Sequence, residues 1–203
     1  MRPLLRQAVA KHVARFNEIP PARRATLEQL SEFIASRRAS GEPIRLTFIC
    51  THNSRRSHMA QLWAAAAATH YGVGQVCVHS GGTEATAFNP RAIAAIARAG
   101  FGVDDPGGDN PHVLVSVADE TPPIACFSKV YDHPVNPREG FAAVMTCSSA
   151  DEACPVVLGA AARVAIPYED PKVADGTDHE AETYDLRSNQ IATEILYAFS
   201  RTS

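Results

Sequence analysis

A change of hydrophobic period between residues 44 and 70 constrains this chain more than any other feature. Residues 44–49 are short, β-rich and mostly apolar, residues 50–57 are small and polar, and residues 57–70 are rich in alanine. That order predicts a buried strand, a loop and a helix, the unit from which parallel sheets are built. Residues 76–78, 113–117, 141–146 and 164–166 read as further strands. Asn89-Pro90 opens a helix that runs through Ala99 to a stop at Gly100, and residues 180–199 read as a closing amphipathic helix. Strands alternating with helices imply an α/β protein with a mostly parallel central sheet covered on both faces.

Two helix-period segments precede this unit, with Leu5, Val9, Val13 and Phe16 on the first and Leu27, Leu30, Phe33 and Ile34 on the second. Pro20-Pro21 separates them, Thr26 is a candidate cap with Gln29 three residues on, and Ser40-Gly41 ends the pair. Residues 1–43 therefore read as an N-terminal helical extension and residues 44–203 as the catalytic domain. Residues 104–139 hold six prolines and little periodicity. The chain of 203 residues has a net charge of -3 and 20% charged residues, which gives no global nucleic-acid signature. Its apolar runs are too short to span a bilayer, and five cysteines without a secretory signal argue against a disulfide framework, so a cytoplasmic protein with free or redox-active thiols is expected.

The loop at the strand end carries the chemistry. Cys50 is followed six residues later by Arg56, where a helix begins. Backbone N–H groups of such a loop can form a nest for a tetrahedral oxyanion, and the helix dipole adds positive potential at the same point. Thr51, His52, Asn53, Ser54, Arg55 and Arg56 are the expected oxyanion-binding residues. A thiol at the lip of the nest is expected to ionise readily and act as nucleophile, Arg56 to hold two oxygens through its planar fork, and Ser57 to hydrogen-bond the sulfur. The alternative for Cys50 is a buried structural cysteine beside an exposed arginine.

A second cysteine, Cys147, also follows a strand and lies seven residues before Cys154. On a helix their Cα atoms would be about 10 Å apart. A disulfide needs less than about 7 Å, so oxidation of the pair would require the segment to unwind. Packing cysteines are the alternative. The spacing does not suit zinc. Asp170, before Pro171 on a loop, is a candidate acid for a leaving oxygen, whereas Asp178, Glu180 and Glu182 fit a solvated helix start.

These residues together resemble the thioredoxin-coupled arsenate reductases, which share the low-molecular-weight protein tyrosine phosphatase fold. The resemblance runs from about Ile44 to the C-terminus. It rests on Cys50-Thr51-x-Asn53-Ser54-x-Arg56-Ser57 with Met59-Ala60 and Trp63, and on His79-Ser80-Gly81-Gly82-Thr83-Glu84 with Asn89-Pro90. Cys147-Ser148-x-Ala150-Asp151-x-x-Cys154-Pro155 and Asp170-Pro171 complete it. It implies a three-layer α/β sandwich, plus the N-terminal extension. It also implies a relay: Cys50 attacks arsenate, Cys147 attacks Cys50 and releases arsenite, and Cys154 carries the disulfide outward to thioredoxin. No cofactor and no metal are expected. Some relatives bind potassium near the loop Asn and the Ser matching Ser80, but Gln61 stands where a carboxylate is common. His52 replaces a usual Gly and Arg55 a frequent Cys, and residues 1–43 are a candidate homodimer surface. A phosphatase working through a phosphocysteine, with Asp170 as acid and base, is the second reading, and an oxyanion-binding regulatory module the third.

Overall fold

The period change at residue 44 marks where helices give way to sheet. In the computed structural model, which describes residues 1–202, the chain begins with helices α1 (Pro3–Val13) and α2 (Pro21–Ser40). Strand β1 (Ile44–Cys50), helix α3 (Arg56–Tyr71), strand β2 (Val76–Gly82) and helix α4 (Pro90–Arg98) follow. Three strands come next: β3 (Gly102–Asp104), β4 (Val113–Ser116) and β5 (Ile124–Cys126). The chain closes with β6 (Phe141–Met145), α5 (Ser148–Ala153), β7 (Ala160–Ala165) and α6 (Glu180–Ser200).

The main sheet has the order β2-β1-β6-β7 and is parallel throughout. β1 lies inside it, and every residue of β1 except Arg45 is buried. Alternation along the strand sends Ile44, Leu46 and Phe48 into the main core with Leu62, Trp63, Ile191 and Ile195, while Ile49 joins Ala143, Met145 and Val157 in a second cluster. Helix α3 is buried nearly all round, from Ser57 to Ala68 with the exception of Ala65. Its alanines allow the close approach that a helix packed between β1, β2 and α6 requires. Trp63 is fully buried, donates its indole N–H to Ser188 Oγ at 3.0 Å, and meets His12 and Phe101 edge-on at 5.3 and 5.1 Å. Burying a large apolar side chain of this kind is worth roughly 2–3 kcal/mol, and here one side chain ties α1, α3 and α6 together.

The N-terminal helices share this core. Leu5, Val9, Leu27, Leu30 and Ile34 are fully buried among the residues of α3 and α6. Arg23 donates to Glu194 at 2.8 Å and to the Pro167 carbonyl at 3.1 Å, so α2 is also fastened by polar contacts. Each helix starts with a proline, whose missing N–H is no loss in the first turn, and α2 ends at Gly41 in the left-handed conformation with φ 70°. Thr26 does not cap α2. The helix begins five residues earlier at Pro21, and the Thr26 hydroxyl bonds back to the Ala22 carbonyl. Proline supplied the stronger start signal.

Residues 113–117 also depart from expectation, because β4 lies outside the parallel sheet in a separate antiparallel one of order β3-β4-β5. Short connections without a helix separate these strands, and a parallel crossover needs a longer excursion than they allow. Among the described residues no helix is long and apolar enough to cross a membrane.

This packing has two measurable consequences. Burial, with nearby cations, pushes His12 and His79 down to about 4 and His58 down to about 3 from their ordinary 6.5. Each folded value lies below the unfolded one, so stability from these neutral imidazoles is full above pH 6.5 and lost as pH falls toward 4. Thermal unfolding scans between pH 7 and pH 4 should show a steady drop in Tm, reduced in His12→Leu. Gly82 is the second point: a Cβ there would meet Glu84 O at 2.2 Å and Thr51 O at 2.6 Å. Gly82→Ala should destabilise by about 1–3 kcal/mol in denaturant melts, because backbone must move on both sides.

Candidate active site

Parallel pairing brings the two cysteine-bearing strand ends to one edge. Ile49 is in register with Met145, and Thr146 fastens the strands further by donating both its N–H and its hydroxyl to the Ile49 carbonyl at 2.7 and 2.9 Å. Cys50 and Cys147 therefore emerge side by side, 3% and 1% exposed. Thr51 Oγ1 lies 3.4 Å from Cys147 Sγ. Cys154 packs against the same small cluster from its edge, and all five cysteines are free thiols.

The loop after Cys50 is held by side chains and leaves its amides free. Asn53 adopts a left-handed φ of 43°, a conformation asparagine tolerates better than most residues. Its Nδ2 donates to Ser57 Oγ at 2.9 Å and its Oδ1 accepts from the Lys129 N–H at 3.0 Å. Since Ser57 Oγ accepts from Asn53, its own proton is available to Cys50 Sγ, 3.1 Å away. The Ser54 carbonyl accepts from Asn89, and the Cys50 and Thr51 carbonyls from Thr83 and Glu84. By contrast, the N–H groups of Thr51 to Arg55 donate to no protein acceptor among the described residues. Helix α3 starts at this point with no side-chain cap, so its own first N–H groups are open as well.

Arg56 is not turned to solvent. Its Nη1 donates to the Tyr168 carbonyl at 2.9 Å and its Nη2 to Asp170 Oδ2 at 2.8 Å, while Nε is buried with no acceptor among the described residues. Its two outer nitrogens fix the guanidinium, and Nε is left without an acceptor. Arg55 sends its side chain elsewhere, with Nε donating to Tyr184 Oη at 2.9 Å, and so brings only its backbone to the loop. The His52 side chain is half exposed, 3.6 Å from the Glu84 carboxylate. Cys147 and Cys154 sit at the two ends of α5, Cys147 as its N-cap, with Sγ accepting from the Ala150 N–H, and Cys154 as its C-cap. Arg163 donates to the Cys154 carbonyl at 3.1 Å and to both the carbonyl and the carboxylate of Asp151.

Sequence reasoning missed the residues that brace the loop from the proline-rich stretch. Ser128 Oγ donates to the His52 carbonyl at 2.9 Å, and Asn110 exchanges two hydrogen bonds with the Ser128 backbone. Lys129 is buried, with its ammonium donating to Phe127 O at 3.2 Å and lying 4.4 Å from the Phe127 ring centre. Burial lowers its pKa to about 8. A cation thus already occupies the protein interior behind Asn53, and it contributes to the depression of both His58 and His79. The one signal for it is a single charge inside the otherwise uncharged run of residues 124–131. Among the described residues no cluster of three or more His, Cys, Asp or Glu could hold a metal ion.

Known proteins match this chain in fold and in part of its sequence. Residues 45–107 match the family model of low molecular weight phosphotyrosine protein phosphatases. An arsenate reductase of Bacillus licheniformis is 28% identical over 157 residues, which span 76% of this chain and 94% of that protein. One from Shouchella clausii is 29% identical over 134 residues, 66% of this chain and 78% of that protein. Among solved structures, a YwlE mutant from Bacillus subtilis superposes with a TM-score of 0.53 at 14% identity, covering 77% of this chain and 97% of that one. An arsenate reductase in a phosphate-binding state gives a TM-score of 0.50 at 19% identity, covering 79% and 99%. With its sheet order and these superpositions, the chain has the fold of the low molecular weight phosphatases and arsenate reductases, and its residues 45–107 are similar to the phosphatase family model.

Proposed function

We propose that this protein reduces arsenate to arsenite, using Cys50, Cys147 and Cys154 in sequence and a thioredoxin-type dithiol as reductant. The observation that carries the reading is a loop of unpaired amides directly after Cys50, ending in Arg56 with a buried, unpartnered Nε, with two further free thiols in and against the same small cluster as Cys50. Unpaired donors clustered beside a buried thiol favour a bound oxyanion, because the anion satisfies several of them at once. The arsenate reductases that this chain resembles in sequence support the same substrate.

In the first step the Cys50 thiolate attacks arsenic; an S–As bond forms, the bond from arsenic to one arsenate hydroxyl breaks, and that hydroxyl takes one proton from Asp170 to leave as water. Arg56 Nε and the loop amides hold the remaining oxygens, and Ser57 Oγ stabilises the sulfur whenever it carries charge. In the second step the Cys147 thiolate attacks Cys50 Sγ: an S–S bond forms, the S–As bond breaks, and its electron pair stays on arsenic, which becomes arsenite. Cys154 then attacks Cys147, frees Cys50 and leaves a disulfide that an external dithiol reduces with two electrons. Cys147 and Cys154 cap opposite ends of α5, at a spacing of about 10 Å along a helix, so this last exchange needs α5 to unwind. The reduced thiols this cycle requires suit the cytoplasm.

The second reading is phosphate monoester hydrolysis. The contact of Asp170 with Arg56 favours it, since an acid held beside the anion site is what a leaving alcohol needs. Cys147→Ser separates the two. Arsenite formation with thioredoxin, thioredoxin reductase and NADPH should drop to the uncatalysed background, while hydrolysis of an aryl phosphate stays near the parent rate. Arsenite release at the parent rate in that variant would remove the relay. Asp170→Asn should slow any aryl phosphate hydrolysis by about 10²–10⁴-fold, read in kcat.

A further inference from the structure

The loop ends in two consecutive arginines whose side chains part, Arg56 reaching the Tyr168 carbonyl and Asp170 Oδ2. Arg55 is equally buried, each side chain being 12% exposed, yet it points to the acid-bearing segment and to α6. Its Nε donates to Tyr184 Oη at 2.9 Å, and that hydroxyl in turn donates to Asp175 Oδ1 at 2.8 Å. Arg55 Nη1 lies 3.8 Å from Asp170 Oδ1, and Nη2 lies 3.8 Å from Asp175 Oδ2. Arg91 approaches Asp175 from α4 at 3.7 Å and pairs with Glu180 at 2.6 Å. Asp170 and Asp175 flank the short 3-10 turn Pro171–Ala174, and Asp170 Oδ1 accepts the Lys172 N–H at 3.1 Å.

We propose that Arg55, with Tyr184 and Asp175, is a positioning latch that fixes the segment bearing Asp170 against the anion loop. The inference rests on the reading of Asp170 as the proton donor of that loop. Consecutive guanidiniums straddle one carboxylate: Arg56 engages Oδ2 and Arg55 stands over Oδ1. Arg56 must also serve the bound oxyanion, so it cannot by itself dictate where Asp170 sits. Arg55 has no such second duty. Its place is set by the fully buried Tyr184, whose hydroxyl burial keeps protonated, with a pKa pushed up to about 12, and therefore able to donate to Asp175 while accepting from Arg55. A bidentate, planar group suits this bridging better than a point charge would. The arrangement also gives Arg55 a specific role, since its side chain is spent on the acid segment and only its backbone reaches the nest.

Tyr184→Phe tests the latch while keeping the buried ring. Two measurements decide it: hydrogen exchange of the backbone over residues 168–177, and hydrolysis of phenyl phosphate, whose leaving group needs a proton, against 4-nitrophenyl phosphate, whose leaving group does not. Exchange over 168–177 should quicken by about tenfold with the rest of the chain unaltered. The kcat for phenyl phosphate should fall by about tenfold or more, and far more than that for 4-nitrophenyl phosphate, with inhibition by inorganic phosphate unmoved. Arg55→Gln should reproduce the exchange effect and the leaving-group bias, and Arg55→Lys should rescue neither fully. Equal loss on both esters, a parallel weakening of phosphate inhibition, or unchanged exchange would overturn the latch. A parent enzyme that cleaves neither ester and reduces no arsenate would instead remove the proposed function, and the exchange measurement would still decide whether the segment is latched.

Discussion

An uncapped helix start over the end of a buried parallel strand is the constraint on which the rest depends. Helix α3 begins at Arg56 with no side chain satisfying its first N–H groups, and the preceding loop leaves the amides of Thr51 to Arg55 without acceptors. Such a concentration of unpaired donors suits an anion that would complete it. The protein keeps the loop in this state by anchoring everything else in it. Asn53 is held by Ser57 and Lys129, the His52 carbonyl by Ser128, and the Ser54 carbonyl by Asn89. Carbonyls and side chains are satisfied, and the donors are left over.

That economy explains the packing around α3. A helix wedged between the sheet and α6 cannot tilt to relieve its first turn, and alanines along its length let it sit close enough to be immobile. Trp63 and Ser188 lock α3 to α6, and α6 in turn supplies Tyr184 to the acid-bearing segment. One helix pair therefore sets both the loop after Cys50 and the segment that bears Asp170. The N-terminal helices reinforce the pair from outside through His12, Leu27 and Arg23, which is why residues far from Cys50 in the chain contribute to the rigidity of its surroundings.

Charge is distributed with the same logic. Arg56 is held by Tyr168 and Asp170, Arg55 by Tyr184, and Lys129 by burial against Phe127, so the three cations in or next to the loop each have a fixed partner. Preorganised positive groups of this kind stabilise an oxyanion without reorganising when charge shifts. Lys129 and its neighbour Ser128 arrive from the proline-rich stretch, whose small antiparallel sheet covers part of the main core through Val113, Val115 and Cys126. That stretch braces the Cys50 loop from behind.

Much of this is legible in the amino-acid sequence. The strand of residues 44–49, the loop from Cys50 to Ser57, the Asn89-Pro90 helix start and the long C-terminal helix were set by local rules: a short apolar run, a polar break, a capping asparagine and a 3.6-residue period. The spacing of Cys147 and Cys154 likewise fixed that they would stand one short helix apart if that helix formed, because rise per residue is a local quantity. Local rules do not determine which strands pair. That residues 113–117 pair antiparallel in a second sheet was decided by connection length and by what the main sheet left to cover. The partners of Arg55 and Arg56, the burial of Lys129 behind Asn53 and the reach of Tyr184 to Asp175 were decided only by tertiary packing. Each joins residues dozens of positions apart or lying on different elements, and a side chain's partner follows from which faces the core brings together, which no stretch of sequence specifies alone.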